Sequence, residues 1–203
     1  MKPSYQAFTD RVRACRLCQG RYFEHEPRPA FVAEPSARVL IVGQAPGKRV
    51  HETGLPFNDV SGDNLREWMG VKREQFYDPT IFAIIPTALC YPGTVKKQGD
   101  LPPPAICAPT WHPGFLEYIT PELILLVGTY AQAYYLNQKR PVSDVVARWR
   151  EYLEDGLFPL PHPSPRNRRW LSERPWFGKE CIPALQELIR KYLPEPQPCF
   201  EYK

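Results

Sequence analysis

Four short apolar runs interrupt an otherwise polar chain, and each is closed by a turn former. They are "RVLIVG" (38–43), "TIFAIIPTALC" (80–90), "ELILLVG" (122–128) and the start of "GLFPLPHPSP" (156–165). Continuous runs of this length, without polar alternation, are the pattern of strands buried on both faces of a parallel sheet. Between them apolar positions recur at helical spacing: residues 5–18 ending in "CRLC", "SGDNLREWMGV" from 61, "TYAQAYYLNQ" (129–138), 142–153, and "CIPALQELIRKYL" (181–193). Ser61 is the expected N-cap of the second of these, with Leu65, Trp68 and Met69 on one face. Residues 27–36 and 44–60 read as connections. Strands alternating with helices predict an α/β fold, a three-layer α/β/α sandwich around a central, mainly parallel four-stranded sheet. A single domain over 1–203 is expected, with 194–203 as a loosely docked or disordered tail.

Composition changes this picture little. The chain has 203 residues, and 26 Lys and Arg against 22 Asp and Glu leave a formal charge of +4, compatible with a polyanion partner but weak support for one. No secretory h-region or run of membrane-spanning length is present, so a cytoplasmic protein without a membrane partner is the expectation. In that compartment the six cysteines call for metal binding, catalysis or burial rather than disulfides.

Three constellations carry candidate chemistry. Cys15 and Cys18 form a CxxC, whereas Cys90 and Cys107 are separated by sixteen residues. A structural zinc site usually repeats two close pairs, while a cubane cluster accepts ligands spread more widely. Buried thiols and a redox CxxC remain alternatives, and Cys181 and Cys199 read as packing or surface thiols. The second constellation is "GQAPG": Gly43 and Gly47 bracket Gln44, Ala45 and Pro46 in a turn that can aim backbone amides at a ligand, without a Walker or GxGxxG pattern. Ten residues on, Phe57 is either a base-stacking ring or a core side chain. The third is "LPHPSPRNRRW" (160–170), where His162 lies between two prolines and Ser164 can donate to a phosphate. Arg166, Arg168, Arg169 and Trp170 then supply charge and a wedge beside an extruded base, or simply a solvated basic loop.

In this order the motifs resemble the iron–sulfur branch of the uracil-DNA glycosylase superfamily, over about residues 10–193. "GQAPG" with Gly54-Leu55-Pro56-Phe57, the four cysteines and "HPSP" resemble family 4; "FNDVSGDNL" is more like family 5. The resemblance implies base-excision repair of single- or double-stranded DNA, in which a deaminated base, uracil first, is flipped out and its N-glycosidic bond hydrolysed; a monomer is the separate expectation. It makes His162 the donor to the leaving base, Phe57 the stacking ring, the Gln44–Gly47 turn the water-side wall, and Ser61 and Ser164 phosphate contacts. Arg166 to Trp170 would be the intercalation loop, and Cys15, Cys18, Cys90 and Cys107 would hold a structural 4Fe–4S cluster, with zinc as the alternative. Three departures from family 4 stand at four positions: Gln44 replaces a Glu, Val50 and His51 replace an acidic pair, and Pro86 replaces the Asn that reads uracil. Base recognition then falls to Thr87, Asn58 or backbone groups, and water positioning to His51, Asn58 or Asp59, with Gln44 able to orient water but not to take its proton. A DNA-binding member with a blunted pocket is the rival reading.

Overall fold

Val39–Val42 (β1), Phe82–Ile84 (β2), Leu123–Val127 (β5) and Leu157–Leu160 (β6) pair side by side in the order β2-β1-β5-β6, every pairing parallel. In this computed structural model, which describes residues 2–96 and 99–195, Ile41 sits between Ile84 and Leu125, and Leu125 is in turn opposite Phe158. The apolar runs are continuous because both sheet faces are covered. Val39, Ile41, Leu125 and Phe158 pack under helices α3 (Val60–Met69) and α10 (Ile182–Arg190), with Phe76 of α4 (Arg73–Phe76) and Trp149 of α8 (Trp149–Leu153) completing that layer. Leu40, Val42 and Leu126 face the opposite layer, made by α1 (Tyr5–Arg13), α5 (Cys107–Leu116) and α6 (Thr129–Tyr135). The expected three-layer α/β/α sandwich with a parallel four-stranded sheet is the observed architecture. A two-stranded antiparallel ribbon, β3 (Thr94–Val95) and β4 (Gly99–Asp100), projects beside it.

Several elements differ from the expected ones for local reasons. Helix α1 stops at Arg13, so the CxxC lies beyond its end rather than on it. The segment read as a loop over 44–60 contains α2 (Lys48–Thr53), ended by Gly54 in the left-handed conformation. Asp59, not Ser61, caps α3, its side chain accepting from the Gly62 amide at 2.9 Å. The helix expected over 142–153 is two, α7 (Val142–Ala147) and α8, broken at Arg148. Residues 165–172 form a 3₁₀ turn and α9 (Arg168–Ser172) instead of an open loop, and a π-turn over Phe177–Cys181 precedes α10. Helix α5 had no sequence signal because it carries two prolines: Pro109 falls in the first turn, where the amide has no acceptor, whereas Pro113 lies inside the helix, which still runs to Leu116. Of the expected tail, and of Cys199 within it, residues 196–203 lie outside the described residues.

Candidate active site and cysteine cavity

The first wall of the cleft is the turn leaving β1. Its carbonyls are fixed by β2's continuation: the Thr87 amide donates to Gly43 O at 2.9 Å, and Gln44 O accepts both the Ala88 amide (3.0 Å) and the Thr87 hydroxyl (2.5 Å). Gly43 is required by its neighbour, since a Cβ there would lie 3.0 Å from Cζ of Phe57.

Phe57 forms the second wall, and its backbone is clamped. Its φ of 54° is a left-handed conformation that costs a non-glycine residue about 1 kcal/mol or more, so surrounding contacts must hold it. Tyr77 Oη donates to Pro56 O at 2.9 Å, Arg66 Nη1 to Phe57 O at 3.3 Å, and Arg73 Nη2 to Asn58 Oδ1 at 2.9 Å. Arg66 is itself buried against the Phe76 ring and paired with Asp63. The next turn presses so closely on this carbonyl that a Cβ on Gly62 would stand 1.7 Å from Phe57 O. The Phe57 ring meets Phe76 edge to face at 6.2 Å.

The third wall follows β6. His162 packs over Gly128, whose φ is 86° and where a Cβ would approach His162 Cβ to 3.4 Å. Its carbonyl accepts from Asn167 Nδ2 at 2.7 Å, and Asn64 Nδ2 of α3 donates to Pro163 O at 2.7 Å, tying this loop to the wall that bears Asp59. Burial holds the His162 imidazole below the usual histidine range, with Asp59 and Asp100 pulling the other way. His162, Asp59, Ser61, Phe57, Pro86 and the Gly43–Gly47 turn line one cleft. It opens into a groove of about 580 Å³ lined also by Asp100, Tyr130, Ser164 and Arg166.

Several expected site residues lie elsewhere. His51 turns away from the cleft against His25, at 5.0 Å between rings, and Tyr91, at 5.7 Å; among the described residues its buried Nδ1 has no partner, and burial lowers its pKa, reinforced by His25. Asn58 spends its amide on Arg73 and, at 3.4 Å, Thr53. Thr87 is buried, and its hydroxyl braces Gln44 rather than facing a base. Trp170 is no wedge: its Nε1 donates to Ser143 Oγ at 2.8 Å and its ring packs on Trp176 and Phe177. Arg169 is paired with Glu173 on its own helix, and Arg168 is exposed on α9 without lining the groove.

The cleft also contains what the turn lacks. Asp59 brings a carboxylate, and its signal was local: an Asx side chain three residues before a glycine amide is a capping pattern. Asp100 and Tyr130 reach the groove from distant segments and had no sequence signal. Nor had His112 on α5, whose Nε2 lies 3.0 Å from Pro86 O and whose Nδ1 lies 2.9 Å from Tyr135 Oη. Since a carbonyl only accepts, Nε2 carries the proton and the Tyr135 hydroxyl donates to Nδ1.

Cys15, Cys18, Cys90 and Cys107 line a second, apolar cavity with Leu17, Pro27, Pro29, Pro104 and Trp111. Cys107 Sγ accepts from the Leu89 amide at 3.4 Å. Among the described residues no three His, Cys, Asp or Glu side chains close on one point as a single ion would require. Four thiols around one apolar space, with no oxygen donor and an amide aimed at sulfur, fit a thiophilic group larger than one ion. Cys181 is different: it is buried alone in the core beneath α10.

Compared with known families, residues 29–186 match the sequence model of the Uracil DNA glycosylase superfamily. The matched span holds every residue of the cleft, together with Cys90 and Cys107, and leaves Cys15 and Cys18 to the segment before it.

Proposed function

Because the chain belongs to the uracil-DNA glycosylase superfamily, whose members typically hydrolyse N-glycosidic bonds in DNA, we propose that it excises a deaminated base, uracil first. The observation that carries this reading is a half-buried imidazole, His162, and a carboxylate, Asp59, lining one cleft walled by the clamped ring of Phe57. In the reaction the C1′–N bond breaks, its electron pair leaves with the base, water oxygen bonds to C1′ as one of its O–H bonds breaks, and the proton released reaches the departed base by way of solvent. His162, held neutral by burial, donates a hydrogen bond to the base oxygen on which negative charge develops. Asp59 orients the water and offsets positive charge on the sugar, the role that Gln44, His51 and Asn58 leave open. Its place as a helix cap fixes the carboxylate without a flexible stem. Gln44 and Thr87 hold the turn in shape, Phe57 stacks on the base, and Ser61, Ser164 and Arg166 meet flanking phosphates.

Cys15, Cys18, Cys90 and Cys107 hold a 4Fe–4S cluster in this proposal, supported by their shared apolar cavity. When bound, the cluster cross-links the segments after α1 and β2 to the start of α5, a structural rather than chemical contribution. Pro86 bears on which base is taken. It lines the cleft, has no N–H, and its carbonyl lies against His112, so no side-chain amide reads the base edge there. An altered base preference is therefore the second reading. Incubation with uracil-, hypoxanthine- and xanthine-containing strands, single and paired, tests both. Abasic sites from uracil support the first, abasic sites from another base alone support the second, and intact strands throughout refute excision.

A further inference from the structure

Beyond the cleft, the groove does not end in solvent. Tyr130, at its edge and 38% exposed, also lines a neighbouring apolar shelf of about 280 Å³, where Tyr134 lies one helical turn further along α6 at 36% exposure. Pro103 and Pro104 also line it, and among the described residues the shelf contains no charged side chain. Neither tyrosine belongs to the two main apolar cores, so the fold does not need these rings where they are. Tyr134 has one edge on His112 and Tyr135, at 5.6 and 5.3 Å between centroids, and is thereby held in place.

Two rings four residues apart on one helix face stand roughly 5–6 Å apart at Cβ, close enough to present one surface. An uncharged aromatic and proline surface is a poor neighbour for phosphates but a good one for the face of a nucleobase. The adjoining groove offers the opposite chemistry in Ser164 and Arg166. Tyr130 belongs to both. That continuity selects a nucleic-acid strand, with its backbone in the groove and a base on the shelf, over a peptide lying on the shelf alone.

We propose that Tyr130 and Tyr134, facing Pro103 and Pro104, form a second base subsite that takes an unpaired DNA base beside the nucleotide held in the cleft. This rests on the reading of the cleft as a DNA site, though not on excision. A base inside a duplex stays stacked on its neighbours and cannot lie on the shelf, so the subsite favours single-stranded DNA.

The test uses the full-length protein and single strands carrying 2-aminopurine next to a uracil or next to an ordinary thymine. Stacking on the shelf is expected to quench 2-aminopurine fluorescence. Tyr130→Ala and Tyr134→Ala should each abolish the quench and weaken single-strand binding about ten-fold, within the range of one lost base stack. Tyr130→Phe should retain both properties, and thermal melting checks that the alanine variants are folded. Duplex affinity should move less than about two-fold, since no unpaired base is available there. Alanine variants that bind and quench like the wild type overturn the subsite even if uracil is excised normally. Binding with no quench in any strand also overturns it. Quenching that depends on Tyr130 without formation of abasic sites leaves the subsite standing and removes excision instead.

Discussion

The cleft and the cysteine cavity share one strip of chain and are opposite in character. Pro86 lines the first, while Ala88, Leu89 and Cys90 line the second, so a single residue, Thr87, separates the two. The cleft gathers an imidazole, a carboxylate and backbone turns, each with a hydrogen-bonded support. The cavity gathers thiols among prolines, and burial pushes the Cys90 and Cys107 thiols up to about 12. The difference separates two kinds of dependence: the chemistry proposed for the cleft depends on single atoms, and the cluster proposed for the cavity depends on four thiols together.

The sharpest way to break this pairing is at a thiol. Cys107→Ser should abolish the brown colour and iron content expected of the purified protein. Loss of a buried cross-link should also cost about 4 kcal/mol or more, which thermal melting would register. Excision should fall as well, because the Leu89 amide that donates to Cys107 lies two residues beyond Thr87, the brace of the cleft. Cys181→Ala, by contrast, should leave colour and iron untouched. A colourless wild type with bound zinc would remove the cluster and keep the cross-link.

His162→Ala acts on the cleft alone. Single-turnover excision should fall roughly 10²–10³-fold, the scale of one lost donor to a developing anion, with iron content unchanged. Excision surviving within about ten-fold would assign the hydrogen bond to the leaving base to another group.

The cleft's companion histidine gives a pH effect of comparable size. Burial pulls His112 to about 4. Below the unfolded value near 6.5 the unfolded chain takes up a proton, whereas the folded chain does so only near 4. In that window the unfolded state binds more protons, so stability rises with pH: it is fully present above about 6.5 and declines as pH falls towards 4, by about 3 kcal/mol in all. His162, lowered in the same direction, adds to the loss. The change in denaturation midpoint between pH 7 and pH 4.5 should be smaller in His112→Gln than in the wild type. Equal changes in the two proteins would mean that His112 does not titrate between states.

Asp59→Asn separates two roles of one side chain. Asn caps a helix as well as Asp, so melting should barely move, while excision should fall about 10²-fold if the carboxylate orients water. Gln44→Ala should cost less than Asp59→Asn, and the reverse order would return the water to the turn.

What the sequence could show follows from range. The strands were legible because burial on both faces writes an unbroken run, as in Leu123–Val127, and His162 and Phe57 were legible because prolines and a short spacing pin them locally. Water positioning stayed open among His51, Asn58 and Asp59 because helix phase decides which of them reaches the cleft: α2 turns His51 towards His25, Asn58 meets Arg73, and Asp59, the cap of α3, lines the cleft. Trp170 looked like a wedge because its partner, Ser143, is 27 residues away, and Asp100 reaches the groove from a ribbon that no periodicity announces. Long-range partners leave no local pattern.

Thr87 marks the boundary between the two cavities and carries the smallest expected effect. Its hydroxyl donates to Gln44 O at 2.5 Å, but that carbonyl also accepts the Ala88 amide at 3.0 Å. Thr87→Val therefore removes one bond without leaving the carbonyl alone, a loss of about 1 kcal/mol. That corresponds to roughly 2–4 °C in melting temperature for a chain of this size. The Thr87 amide still donates to Gly43 O, so the turn keeps its path and excision should stay within about three-fold. The opposite outcome, a hundred-fold slower excision at unchanged melting temperature, would mean that the hydroxyl leaves Gln44 and reads the base when one is bound. It would turn Thr87 from a brace shared by both cavities into a residue of the cleft alone.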